Sequence, residues 1–194
     1  MFSEESVAWM LTAVALVCTW VPFYKALRVC LRGWSATRRV DLGSLRKGGA
    51  APTGATEPIS MLMMRILKKS LRDNESEHPS DFVFDASRQY VMNEFEVNYT
   101  RLISMFGSLL PPIGFIGTTG GMLILFLSMQ VSDSSLELGA LALALTSSIF
   151  ALIGFSILEG LKIRLYGRLL TSLRDVQVLF DEADQRRYAK QAAA

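Results

Sequence analysis

Thr118, Thr146, Ser147 and Ser148 stand within Leu102 to Leu161, a stretch without lysine or arginine in a chain that carries twenty of them. A hydroxyl donates and accepts hydrogen bonds but does not ionise at accessible pH. Such residues can line the path of a proton without storing it. Around Thr118, the glycines Gly114, Gly117 and Gly121 recur at three-four spacing, and Gly117 with Gly121 forms a GxxxG pair that lets another helix approach closely. Thr118 is four residues from Gly114 and three from Gly121, so it shares that face. A second set of small and hydroxyl residues follows: Gly139, Ala140, Ala142, Ala144, Thr146, Ser147, Ser148, Ala151 and Gly154. Residue types alone leave two uses open. The stripes serve close helix packing, with hydroxyls bonded back to their own helix, or they form a polar path between helices. Gly117, Ala144, Ala151 and Gly154 are the candidates for packing.

Other chemistry is scarce. Cys18 and Cys30 are twelve residues apart on what should be one helix, about 18 Å along its axis and beyond the span of a disulfide. They read as inert apolar fillers. His78 is the sole histidine, and no Cys, His and carboxylate cluster has the spacing of metal ligands. We therefore expect no metal, no cofactor and no enzyme chemistry, since a nucleophile and base pair is also missing. Glu159 stands three residues before Lys162, the spacing of an ion pair on a helix surface near the headgroups.

The elements that hold these residues are set by hydropathy. The chain of 194 residues is 51% hydrophobic, and positive charge is also absent from Met1 to Tyr24. Charge excluded from whole segments marks membrane spans. The expected fold is all-α, an integral membrane protein with three transmembrane helices, at about Val7 to Tyr24, Leu102 to Gln130 and Leu138 to Leu161. The first begins with Glu4 and Glu5 and is followed by Lys25, Arg28 and Arg32, the reverse of a cleaved signal sequence. All the lysines and arginines fall in 25–101 or 162–190, which places the N-terminus and the 131–137 turn outside and the C-terminus in the cytoplasm. A formal net charge of +2 gives no reason to expect a nucleic-acid partner, and the basic flanks suit anionic membrane lipid.

The segments follow in order. Residues 1–30 hold the first span. Residues 31–80 form a cytoplasmic loop, with a Gly/Pro-rich linker over 48–58 and a basic amphipathic helix over Ile59 to Arg72, apolar at Ile59, Leu62, Met63, Ile66 and Leu67. That helix docks on the inner ends of its own spans or on an interface. Residues 81–130 make one uninterrupted helix containing the second span, 131–137 a periplasmic turn, and 138–194 the third span with a C-terminal helix. In the last of these, Leu165, Leu169, Leu170, Leu173 and Val176 alternate with cations. No soluble part is expected to have a sizeable core of its own.

Depth suggests that the hydroxyls share a layer. Thr118 lies twelve residues from Gln130 and Thr146 eight from Leu138, within roughly 12–18 Å of the outer helix ends. The run Gly114-Phe115-Ile116-Gly117-Thr118-Thr119-Gly120-Gly121-Met122, then Phe126, and the later Leu145-Thr146-Ser147-Ser148-Ile149, resemble the paired motifs of the MotA/TolQ/ExbB proton-channel family. In that family a Gly-Leu-x-Gly-Thr-Val-x-Gly-Met stretch stands in one span and Ala-Leu-x-Thr in the next. The resemblance covers about Arg101 to Arg164 and is closest to the three-span TolQ/ExbB branch.

The resemblance implies a stator subunit of a motor driven by the proton-motive force in the bacterial inner membrane. It implies a homo-oligomer, a pentamer, around two copies of a single-span partner like ExbD, TolR or MotB, whose periplasmic domain is moved. Thr118 and Thr146 then correspond to the family's pore-facing threonines, with Gly114, Gly121 and Ser147 beside them on the ion pathway. The only carboxylates between Leu102 and Leu161 are Asp133, Glu137 and Glu159, so the titrating group would be the partner's aspartate. The chain departs from the family at Leu141-Ala142-Leu143, where an acid is common, at Gly154-Phe155, where a proline is, and at Pro111, where a small residue is. The competing expectation is a non-conducting membrane scaffold that docks a soluble cytoplasmic partner.

Overall fold

The computed structural model of the chain describes residues 4–38, 40, 57–73, 79–131 and 134–192. The linker over 48–56, His78 and Asp133 lie outside the described residues. Every described element is a helix, and no strand occurs among the described residues. In order they are α1 (Glu4–Ala36), α2 (Ile59–Asp73), α3 (Ser80–Phe95), a π-helical turn (Glu96–Thr100), α4 (Arg101–Ser108), α5 (Leu110–Val131) and α6 (Ser134–Ala192). Two helical runs, Ser80–Met129 and Glu137–Arg186, are each 50 residues and are long and apolar enough to cross a membrane.

The expected single helix over 81–130 is interrupted twice. Glu96–Thr100 is wound as a π-turn, where an extra residue is accommodated in the ladder. Leu109 then leaves the helix two residues before Pro111, which Pro112 follows. The prolines lack the N–H groups that would bond the carbonyls of Gly107 and Ser108, and the ladder resumes with Ile113 N–H donating to Leu109 O at 3.2 Å. Within the stretch 131–137, Val131 is helical and so are the residues from Ser134 on.

The chain divides into two compact units. The first comprises Met1–Val29 and Arg101–Lys162. Its buried centre is Ala26, Leu110 and Leu158, with Phe23, Phe106 and Phe155 packed against them. Trp20 stacks on Phe23 at 5.5 Å between ring centroids. Much of this unit's apolar side-chain surface is exposed, including Phe115, Ile116, Phe126, Leu141, Leu152 and Ile153. Such a surface is unstable against water and natural against lipid or other apolar helices.

The second unit comprises Cys30–Thr100 and Ile163–Ala194. Its buried residues include Met63 and Leu67 of α2, Val83, Phe84, Val91 and Phe95 of α3, and Leu165, Leu169, Leu173 and Val176 of α6. Phe84 and Phe180 stack at 4.8 Å. The amphipathic α2 packs on α3. This unit has a core that the sequence reading did not expect, since its segments lie far apart in the chain. Leu170, expected on the apolar face, is exposed.

Candidate functional site

Helices α5 and α6 meet antiparallel along a row of glycines. A Cβ added at Gly114 would lie 2.6 Å from Ala151 Cβ, at Gly117 2.5 Å from Ser147 Cβ, and at Gly121 2.8 Å from Ala144 Cβ and 2.7 Å from Ala140 O. All are closer than side-chain carbons approach one another, so only glycine permits this spacing of the two backbones. The same register continues inward, where Gly107 faces Leu158 and Leu110 faces Gly154. Alternating steps of three and four residues along α4 and α5 are thus matched by steps of four and three back along α6.

That register places Thr118 and Thr146 at one level, because each is one residue removed, in opposite directions along the chain, from the facing pair Gly117 and Ser147. Their surroundings differ. Thr118 is half-buried, and its Oγ1 donates to Gly114 O at 3.0 Å and also points to Ala144 O on α6 at 3.2 Å. Thr146, half-buried as well, donates to Ala142 O at 2.6 Å within its own helix. Ser147 is 5% exposed and donates to Ala144 O at 3.2 Å, while Ser148 lies 3.1 Å from Leu145 O and 3.4 Å from Ala144 O.

Ala144 O is therefore shared by hydroxyls from both helices. A carbonyl oxygen has two lone pairs, and one already serves the helical ladder. Thr118 and Ser148 have a second acceptor within reach, so their protons can turn between partners without becoming unsatisfied. Each hydroxyl that donates to a carbonyl keeps lone pairs with which to accept from an incoming O–H or a hydrated proton.

The small residues assigned to the ion pathway and those assigned to packing occupy one contact. Gly114, Gly121 and Ser147 are buried between α5 and α6 together with Ala144 and Ala151, with Gly117 in the same row. Gly154 is buried against Phe23 of α1 and Leu110. Thr118 and Thr146 keep partial exposure, as does Ser148. Sequence reasoning missed Ala144 O, a backbone atom that no residue pattern singles out. It also missed Gly107, whose seven-residue spacing from Gly114 and again to Gly121 was visible.

Around this layer α5 and α6 offer no charge. Glu159 pairs with Lys162 at 2.6 Å, and Lys162 Nζ also donates to Ser104 Oγ at 3.3 Å. Cys18 is exposed and Cys30 buried, both as free thiols. Among the described residues no group of three His, Cys, Asp or Glu side chains could hold a metal ion. No known family model matches the sequence, and no curated protein matches it.

Proposed function

We propose that the chain is the pore-wall subunit of an ion-driven motor of the MotA/TolQ/ExbB kind. In this reading it crosses the bacterial inner membrane three times, with its N-terminus in the periplasm and its C-terminus in the cytoplasm. It forms a homo-oligomer, with a pentamer as the family's precedent, around two copies of a single-span partner. The observation that carries the reading is the level pairing of Thr118 and Thr146 on a close, charge-free helix pair.

A carboxylate on the partner's helix is costly in a low-dielectric core while charged. At the threonine layer it takes up a proton, and the neutral acid donates to a threonine lone pair while each threonine hydroxyl keeps its own proton, donated to a backbone carbonyl. Loss of charge lets the helix step past the next subunit, and ionisation on the other side resets it. Replacing Thr118 or Thr146 with the nearly isosteric Val removes the lone pairs and keeps the packing. Both variants are expected to assemble at the wild-type size and to lose proton flux when co-expressed with the partner, read as acidification inside membrane vesicles. Wild-type flux in both would remove the pore assignment.

The scaffold reading has its own support. The layer's hydroxyls are satisfied by backbone carbonyls, and α2 and α3 flank a cavity of about 850 Å³ lined by Leu62, Arg65, Ile66, Lys69, Phe82 and Tyr90 among others. It predicts tolerance at both threonines and loss of function on substitution within Ile59–Arg72.

A further inference from the structure

The second unit contains another polar cavity, of about 660 Å³, where the segment after α1 meets α6. It is lined by Thr37, Arg38, Arg164, Gly167, Arg168 and Thr171. Arg168 is already oriented. Its guanidinium lies 4.2 Å from the Trp34 ring centroid and donates to Thr37 O at 3.3 Å. Thr37 is itself fully buried and tied to Gly33 O through its hydroxyl at 3.0 Å. Arg38 and Arg164 are exposed, and among the described residues no carboxylate pairs with any of these arginines. The floor is open at Gly167, where an added Cβ would meet nothing within 4 Å.

Three arginines lining one cavity without a paired carboxylate repel one another and suit an anion with several acceptor oxygens. Phosphate, tetrahedral and multiply accepting, matches that geometry better than a lone carboxylate. Position along α6 identifies the source. Arg164 and Arg168 come three and seven residues after Leu161, the end of the apolar stretch, or roughly 5 and 10 Å along the axis. The polar layer of a bilayer extends about 5–8 Å beyond each side of its hydrocarbon core, which takes in the Arg164 backbone and leaves that of Arg168 just beyond it, within reach of a long side chain. We infer that this cavity binds the phosphate group of an anionic phospholipid in the leaflet that faces the basic flanks. The inference rests on the membrane reading and is independent of the pore.

The test uses the full chain, purified in detergent and stripped of lipid, with binding of phosphatidylglycerol and phosphatidylcholine followed by native mass spectrometry. The wild type is expected to favour phosphatidylglycerol by at least about tenfold. The double variant Arg38→Gln/Arg164→Gln is expected to lose that preference with its elution volume and helical content unchanged. Should that variant fold poorly, Gly167→Glu places a carboxylate on the open floor and is expected to have the same effect. No preference in the wild type, or an unchanged preference in the folded variants, overturns the site. Displacement of the lipid by submillimolar inorganic phosphate overturns the lipid as the source. Recovery of the wild-type chain from the soluble fraction without detergent would defeat the membrane reading instead, a result distinguishable from failure of the pocket.

Discussion

Moving one methyl group from α6 to α5 tests the register that places the two threonines at one level. In Gly114→Ala the new Cβ would stand 2.6 Å from Ala151 Cβ, whereas carbon pairs are comfortable at about 3.5–4.0 Å. Relief requires the helices to part by about 1 Å, which also loosens the contacts at Gly117 and Gly121. Over-packing of this kind costs about 1–3 kcal/mol, and the better helix propensity of alanine returns about 0.8–1.0 kcal/mol. The single variant should therefore lose up to about 2 kcal/mol. Ala151→Gly should lose about 1–2 kcal/mol, from propensity and a missing methyl contact. In the double variant the propensity terms cancel and the clash is absent. The Cβ at 114 then meets Ser148 Cα at 3.3 Å and Ser147 O at 3.4 Å, tight but tolerable. Stability within about 1 kcal/mol of wild type is expected, a coupling of about 1–3 kcal/mol. The four proteins are compared by unfolding in mixed micelles with increasing sodium dodecyl sulfate, followed by circular dichroism. If the two single effects simply add to within about 0.5 kcal/mol, the proposed contact between 114 and 151 is wrong.

Other consequences follow from the same geometry. Thr118→Val removes the interhelical hydrogen bond to Ala144 O and should cost only about 0.6 kcal/mol in the same assay, so a large loss of flux in that variant cannot be attributed to unfolding. Met63, fully buried, should cost about 2–5 kcal/mol on replacement by Ala, seen as faster protease cleavage within α2 and α3. Trp34→Leu should cost about 0.5–2 kcal/mol through the lost stacking of Arg168, and Arg168→Ala in the double variant should add only the loss of its hydrogen bond to Thr37 O, about 0.5–1.5 kcal/mol. Burial raises the Tyr99 hydroxyl above its ordinary range, with Arg32 opposing the shift. Its contribution to stability is thus complete below about pH 10 and is lost as pH rises through the raised folded value, a fall that Tyr99→Phe should abolish in alkaline unfolding experiments.

Helix positions and the small-residue stripes were legible because they follow from local rules. Charge exclusion over Leu102 to Leu161 and three-four spacing of Gly114, Gly117 and Gly121 identify apolar helices with a smooth face whatever they pack against. The Glu159 and Lys162 pair was legible for the same reason, since both lie on one helix. The π-turn at Glu96–Thr100 was not, because no residue there forbids an ordinary α-helix. Nor was the core formed by Met63, Val91 and Leu169, which depends on which of several amphipathic faces find one another.

Sequence by itself determined an all-helical chain with long apolar runs, and it singled out Thr118 and Thr146 as hydroxyls in a charge-free layer. Periodicity states which residues share a face of a helix. It does not state what that face meets. Only the tertiary structure decided that Gly114, Gly121 and Ser147 are buried in the contact between helices, that Thr118 reaches Ala144 O, and that Arg38, Arg164 and Arg168 line one cavity. The physical reason is that these arrangements depend on distances between segments remote in the chain, set by how closely whole helices approach, and glycine permits that approach without specifying its partner.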